Sequence, residues 1–359
     1  MSVRTARLAD LQQTATTPIV APNQAVTLWL FTVCALIIGL TVFGGYVRLT
    51  RSGLSIVEWN VITGIIPPIG EAAWQVEFAK YQATPEFAHV NFNMTLADYQ
   101  RIFYVEYIHR LIARLAGLIV VGPLGVFLWR GLIPWRRSGV YLSIVALFGF
   151  QGFFGWYMVS SGLVDQPAVS HFRLTIHLLT ALSLLGLTLW TALNDRQQGA
   201  RPQAAWSGAA KLTVILLVLL VVQIAYGGLV AGLKAGHASD TWPLMFGYLV
   251  PPGLLAVMEP WWANLVESVP TVHFVHRWFA FVVLLFAGIL YQQNRQPALR
   301  STILGLVALV LVQITLGISV IWFHVPLVLA LLHQATALLL FVVVVWLVHQ
   351  LVYQSVAHQ

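Results

Sequence analysis

Eight apolar runs, each about 20 residues long and so able to cross a lipid bilayer, dominate this sequence. They occupy 27–49, 102–128, 140–159, 174–192, 212–233, 273–290, 303–322 and 325–348. Backbone inside lipid must satisfy its own hydrogen bonds, so runs of this length read as helices. Charged residues are only 9% of the chain, against roughly 25% in a typical soluble domain, too few to cover a soluble surface. The expected fold class is therefore an all-α membrane protein with eight transmembrane helices. The one cysteine, Cys34, lies inside the first run, which excludes an internal disulfide and a thiolate metal cluster.

Lysine and arginine placement orients the chain. The loops after the second, fourth and sixth runs carry Arg130, Arg136 and Arg137, then Arg196, Arg201 and Lys211, then Arg295 and Arg300. The other loops hold most of the acids, among them Glu58, Glu71, Glu77, Asp98, Asp240 and Glu267. By the positive-inside rule the basic loops and both termini are cytoplasmic, which accounts for the net charge of +7 without nucleic acid. The first run is too long for a signal-peptide core and reads as an uncleaved helix behind a cytoplasmic segment, 1–26. The long first and fifth loops, rich in Trp and Pro, are expected to form ordered outer caps.

The chain also repeats itself. GGYVRLTRSG at 44–53 resembles GGLVAGLKAG at 227–236, and YIHR at 107–110 resembles FVHR at 274–277. Gln151 and Gln313 mark matching helices, each followed by a helix with an early histidine, His177 or His333. A unit of four helices returns the chain to the same side, so the two repeats are expected to be parallel about an axis along the membrane normal. The expected division is an N-terminal half at 27–192, a cytoplasmic linker at 193–211, a C-terminal half at 212–353 and a tail at 354–359.

Of the eleven histidines, His89, His349 and His358 fall in loops or near the C-terminal end, where solvation explains them. His237 and His324 fall in outer turns. His109, His177, His276 and His333 lie one on each even-numbered run, at matching depth near the outer face. A lone membrane histidine usually bonds a neighbouring helix, but that does not explain recurrence at equivalent positions. Two imidazoles gripping a flat iron porphyrin do explain it, pairing His109 with His177 and His276 with His333. His171, expected just before the fourth helix, and His273, on the same face as His276, read as auxiliary polar groups.

Basic residues accompany these sites. Arg110 and Arg277 follow His109 and His276, while Arg48, Arg51 and Lys234 close the first and fifth runs. They can clamp porphyrin carboxylates or snorkel to the interface. The pairs Gly44–Gly45 and Gly227–Gly228 read first as sites of close helix packing. The halves differ where Glu106 precedes His109 but His273 precedes His276. A carboxylate there can move protons or stabilise developing positive charge; a salt bridge to Arg110 or Arg173 is the structural alternative.

Several stretches together resemble the haem A synthase family. They are GGYVRLTRSGLSIVEWNVITGIIPP (44–68), EYIHR (106–110), QGFFGWYMVSSGL (151–163), HFRLTIHL (171–178), GGLVAGLKAG with TWPLM (227–245), VHFVHR (272–277) and LHQ (332–334). The resemblance implies a haem b cofactor between His276 and His333. It implies a substrate site for haem O at His109 and His177, and an essential acid at Glu106. The implied reaction hydroxylates a ring methyl (C8) of haem O twice, and the resulting diol loses water to give the formyl group of haem A for haem-copper oxidases. A haem closed on both faces by imidazole suits one-electron transfer rather than oxygen activation. Some members carry a cysteine pair in outer loops; this chain has none there, which aligns it with the proteobacterial and mitochondrial branch. The N-terminal segment lacks an Arg-rich transit pattern, so a bacterial plasma membrane is expected. Haem O synthase, the prenyltransferase, is the partner that the resemblance implies. A di-haem cytochrome b carrying electrons from quinol is the alternative, although such proteins often use two well-separated histidines per helix. A transporter would instead place polar groups at the membrane midplane.

Overall fold

The structure, a computed structural model, describes residues 23–164, 166–197, 201–202, 206–294 and 296–354. The helices are α1 Gln24–Leu49, α2 Glu71–Gln82, α3 Pro85–His89, α4 Leu96–Trp129 and α5 Ser138–Ser160. They continue as α6 His171–Arg196, α7 Gly208–Gly232, α8 Val269–Gln293, α9 Pro297–Trp322 and α10 Leu327–Val352. All but α2 and α3 are long and apolar enough to cross a membrane, which makes this a multi-pass helical membrane protein. A helix of 26 residues such as α1 spans about 39 Å at 1.5 Å per residue, so it crosses a ~30 Å core even when tilted.

Caps explain where helices depart from their apolar runs. α4 starts at Leu96, ahead of the run at 102, because Thr95 and Asp98 form a capping box in which each side chain takes the other's backbone N–H. Ser170 accepts the Arg173 N–H and caps α6, so His171 is that helix's first residue rather than a residue before it. Val325, expected inside the last helix, instead shares a turn with His324 at φ 60° and 57°.

Within the first half, α1 and α5 each adjoin α4 and α6, leaving α4 and α6 across a diagonal. Within the second, α7 and α9 each adjoin α8 and α10, which again face each other diagonally. The halves meet along α6–α7, α1–α10 and α6–α10. Leu30 and Val33 of α1, Leu185 of α6, Leu216 of α7 and Leu340 of α10 lie in this shared core. α6 is the most enclosed span, half of it buried, because it touches both halves.

His349 is a correction to the sequence reading. It is fully buried in α10, stacked on Tyr353, with its Nε2 2.9 Å from Asn194 Oδ1 of α6. On the same side, Thr27 of α1 hydrogen-bonds Asp195 of α6. His89 is exposed at the end of α3, and His358 lies outside the described residues. The loop caps are ordered: α2 lays Trp74, Phe78 and Tyr81 onto Tyr99 and Phe103 at the start of α4. In the fifth loop buried Asn264 accepts the Met258 N–H and donates to the Leu255, Met258 and Trp261 carbonyls.

Candidate functional site

The diagonal helices α4, α6, α8 and α10 carry His109, His177, His276 and His333, and each ring meets a glycine on an adjoining helix. A Cβ added to Gly44 would lie 3.3 Å from His109 Nε2, and one on Gly155 would lie 3.2 Å from His177 Cε1. In the second half, Gly227 would stand 3.3 Å from His276 Cε1 and Gly317 3.0 Å from His333 Cε1. Any larger residue would push on the ring. The glycine pairs thus divide their work. Gly44 and Gly227 back a histidine in their own half, whereas a Cβ at Gly45 would strike Gln334 of α10 and one at Gly228 would come within 2.9 Å of Thr175 Oγ1 of α6.

One helical turn before each of the four histidine-backing glycines stands Leu40, Gln151, Gln223 or Gln313. The amide nitrogens of Gln151, Gln223 and Gln313 lie 3.3 Å from His177 Nε2, His276 Nδ1 and His333 Nε2. Gln223 also donates to the His276 carbonyl at 2.9 Å. Left buried without a partner among the described residues are His177 Nδ1, His333 Nδ1 and the Oε1 atoms of all three glutamines. An unmet buried polar atom costs about 1–3 kcal/mol, so this concentration marks sites made to receive a polar or metal-bearing group. The His276 and His333 ring centres are 6.3 Å apart with planes at 78°. That spacing leaves room for a metal bonded at about 2.0–2.1 Å to a nitrogen of each ring. No group of three or more His, Cys, Asp or Glu suited to an ion occurs among the described residues. Paired imidazoles fit a metal whose other ligands come from a macrocycle, and the residues present fit a haem.

At the end of each pair that adjoins the first or fifth loop, the corner differs between halves. Glu106 is buried; its Oε2 accepts Ser55 Oγ at 2.7 Å and the Ile56 N–H at 2.9 Å, while Oε1 accepts Arg110 at 2.7 and 3.1 Å. Arg110 also donates to the Ile56 and Glu58 carbonyls and lies over Trp59. At the matching corner Arg277 donates to His273 at 3.2 Å and to the Thr241 carbonyl at 2.6 Å, and its Nη1 is buried without a partner among the described residues. Arg173 instead bonds the Tyr157 carbonyl and covers the Tyr157 ring, so Arg110 is the partner of Glu106.

The other basic residues surround the same ends of the bundle. Arg48 is partly buried at the end of α1, whereas Arg51 and Lys234 are exposed in matching turns at φ 53°. Both charges act on Glu86, the buried acid of α3: burial pushes its carboxyl up to about 7, against the pull of Lys234 and Arg51. His171 packs its main chain and Cβ over Gly232. His237 is exposed, and His324 stands 4.0 Å from Asp240. A cavity of about 330 Å³ opens beside Arg110, between Trp59 and Trp156.

Sequence reasoning singled out Gln151 and Gln313 but not Gln223, and not the contrast with Leu40. The signal was present: stepping back one turn from each histidine-backing glycine gives glutamine three times and leucine once.

Comparison with known proteins extends these observations. The COX15-CtaA family model, described as a cytochrome oxidase assembly protein, matches residues 27–345. A heme A synthase of Nitrosospira multiformis is 40% identical over 338 residues, covering 92% of this chain and 94% of that protein. One from Brucella ovis is 40% identical over 353 residues, covering 96% and 98%. One from Wolbachia sp. subsp. Brugia malayi is 39% identical over 321 residues, covering 89% and 94%.

Proposed function

The chain belongs to the COX15-CtaA family of cytochrome oxidase assembly proteins, and from that premise we propose that it is a haem A synthase. It acts on haem O, oxidising the C8 ring methyl to a formyl group through two hydroxylations and loss of water. The two halves, 27–192 and 212–353, are parallel four-helix repeats with separate tasks. His276 and His333 hold haem b, with the unpaired Arg277 Nη1 and Lys234 available to its carboxylates. When bound, that haem supplies one-electron redox chemistry. His109 and His177 receive haem O, with Arg48, Arg51 and Arg110 at the outer end.

Glu106 is the acid of the substrate half. Its carboxylate is held by Ser55, Ile56 and Arg110, which fixes a negative charge one helical turn from His109 and ties the first loop over the site. A fixed carboxylate there favours positive charge developing on the substrate and can take a proton from it. The basic loops and both termini face the cytoplasm of a bacterial plasma membrane, and haem O synthase delivers the substrate.

The observation that carries this reading is that a glycine-backed histidine stands on each diagonal helix of both halves, with His276 and His333 facing each other at 6.3 Å, in a chain so similar to heme A synthases. Incubating the purified membrane protein with haem O and analysing extracted porphyrins by mass and spectrum tests it. A formyl haem is the expected product. Turnover that yields no new porphyrin favours an electron-transferring di-haem cytochrome instead.

A further inference from the structure

We propose that the first and fifth loops insert their apolar tips, 61–69 and 244–257, into the acyl–headgroup boundary of the lipid leaflet on their side of the membrane. Each loop is then a lipid-binding surface rather than a cap standing in water. Sequence and exposure set the tips apart. No Asp, Glu, Lys or Arg occurs from Trp59 to Gly70 or from Thr241 to Met258. The apolar side chains there are nevertheless turned outward. Ile62, Ile66 and Ile69 are exposed in the first loop, Ile62 to 80%, and Phe246, Leu249 and Val250 in the fifth, Val250 to 62%. Contiguous exposed apolar surface of this kind marks a site of contact.

Depth says what they touch. Each loop runs down the flank of a spanning helix. The Asn60 and Val61 carbonyls each accept from Arg114 of α4 at 2.9 Å. Trp242 stacks on Phe281, which faces out of the bundle on α8, with ring centres 5.9 Å apart. At 1.5 Å per residue, Arg114 stands about 23 Å from the Trp129 end of α4, and Phe281 about 18 Å from the Gln293 end of α8. Those ends reach the opposite side of a hydrocarbon core ~30 Å thick, so both residues lie inside it. The tips start from that level. Ile65 is held by Tyr107, nearly two turns nearer the start of α4, and the Leu244 carbonyl is held by Thr241 at 2.8 Å. Irregular backbone at such depth needs its polar groups met by protein. Arg110 takes the Ile56 and Glu58 carbonyls, Arg277 that of Thr241, and Thr271 that of Leu254. Prolines 67, 68, 243, 251 and 252 remove N–H groups that lipid would leave unmet. What the tips present is uncharged, apolar side chain at membrane level, which fits acyl chains.

The experiment places single fluorescent labels on the full-length protein in phosphatidylcholine vesicles. Cys34→Ala removes the one native thiol, and Ile62→Cys, Phe246→Cys and Arg101→Cys then each carry a nitrobenzoxadiazole label. Arg101, exposed near the start of α4, is the aqueous control. Labels at 62 and 246 should emit to the blue of the label at 101. They should lose fluorescence to lipids bearing a nitroxide high on the acyl chain and keep it against aqueous iodide, with the reverse at 101. Quenching by iodide at 62 and 246 to the extent seen at 101 overturns the proposal. Shielding from both quenchers overturns it too, since protein, a second copy or another chain, would then cover the patch. Ile66→Cys and Leu249→Cys give a second position in each loop should a first variant fail to fold, and each loop stands or falls by its own labels.

Discussion

The corners of the two halves beside the first and fifth loops are built on one plan and differ in one charge. In the N-terminal half Arg110 faces the carboxylate of Glu106; in the C-terminal half Arg277 faces the imidazole of His273. Both arginines reach up to carbonyls of the loop above them, Ile56 and Glu58 in one case and Thr241 in the other. The scaffold is thus shared, and what separates the corners is whether a fixed negative charge stands beside the histidine. On the proposed reading, two matching halves can give their sites different chemistry by changing a few side chains while leaving the helix packing alone.

The largest effects expected from breaking this comparison are losses of cofactor. His276→Ala or His333→Ala should remove the haem that copurifies from cells lacking haem O, while His109→Ala and His177→Ala should leave it; the pyridine haemochrome spectrum reads this directly. Glu106→Gln should next abolish formyl product with copurified haem unchanged, and wild-type turnover by that variant would reduce Glu106 to a loop anchor. Stability sharpens the contrast further. Glu106→Ala strands a buried guanidinium and should cost about 3–5 kcal/mol, whereas His273→Ala removes a neutral acceptor and should cost about 1–3 kcal/mol. Denaturation in detergent, monitored by circular dichroism, compares them.

Smaller effects come from the glycines and from Glu86. Gly317→Ala brings a methyl to 3.0 Å from His333, so an overpacking cost of about 1–3 kcal/mol and weakened haem b binding are expected. Gly44→Ala, at 3.3 Å, should perturb His109 less and leave haem b untouched. The Glu86 carboxyl titrates higher in the folded protein than in the unfolded chain, so its contribution is fully present below about pH 4.5 and is lost as pH rises through about 7. Thermal midpoints should fall across that window, and Glu86→Gln should flatten the profile. An unchanged slope in that variant assigns the titration elsewhere.

The spans and the four histidines were legible because lipid imposes a long apolar period that a lone polar residue interrupts visibly. Helix ends were harder to read, since apolarity does not report them. The capping box at Thr95 and Asp98 carries α4 well past its apolar run, and the Ser170 cap draws His171 into α6. His349 was misread because its burial depends on Asn194, a residue distant in sequence that only the packing of α6 on α10 brings close. From sequence the glycine pairs read first as packing sites, and as cofactor contacts only by extension. One member of each pair serves that role between halves, while the other backs a histidine, a division set by the helix's rotation.

The contact of α10 with α1 also bears on biogenesis. Gln334 of α10 lies against Gly45 and donates to the Thr41 carbonyl, 293 positions earlier in the chain, so α1 meets this partner only after α10 has been made. Insertion of α1 into the membrane and completion of its packing are therefore separate events, because the second waits on the synthesis of α10.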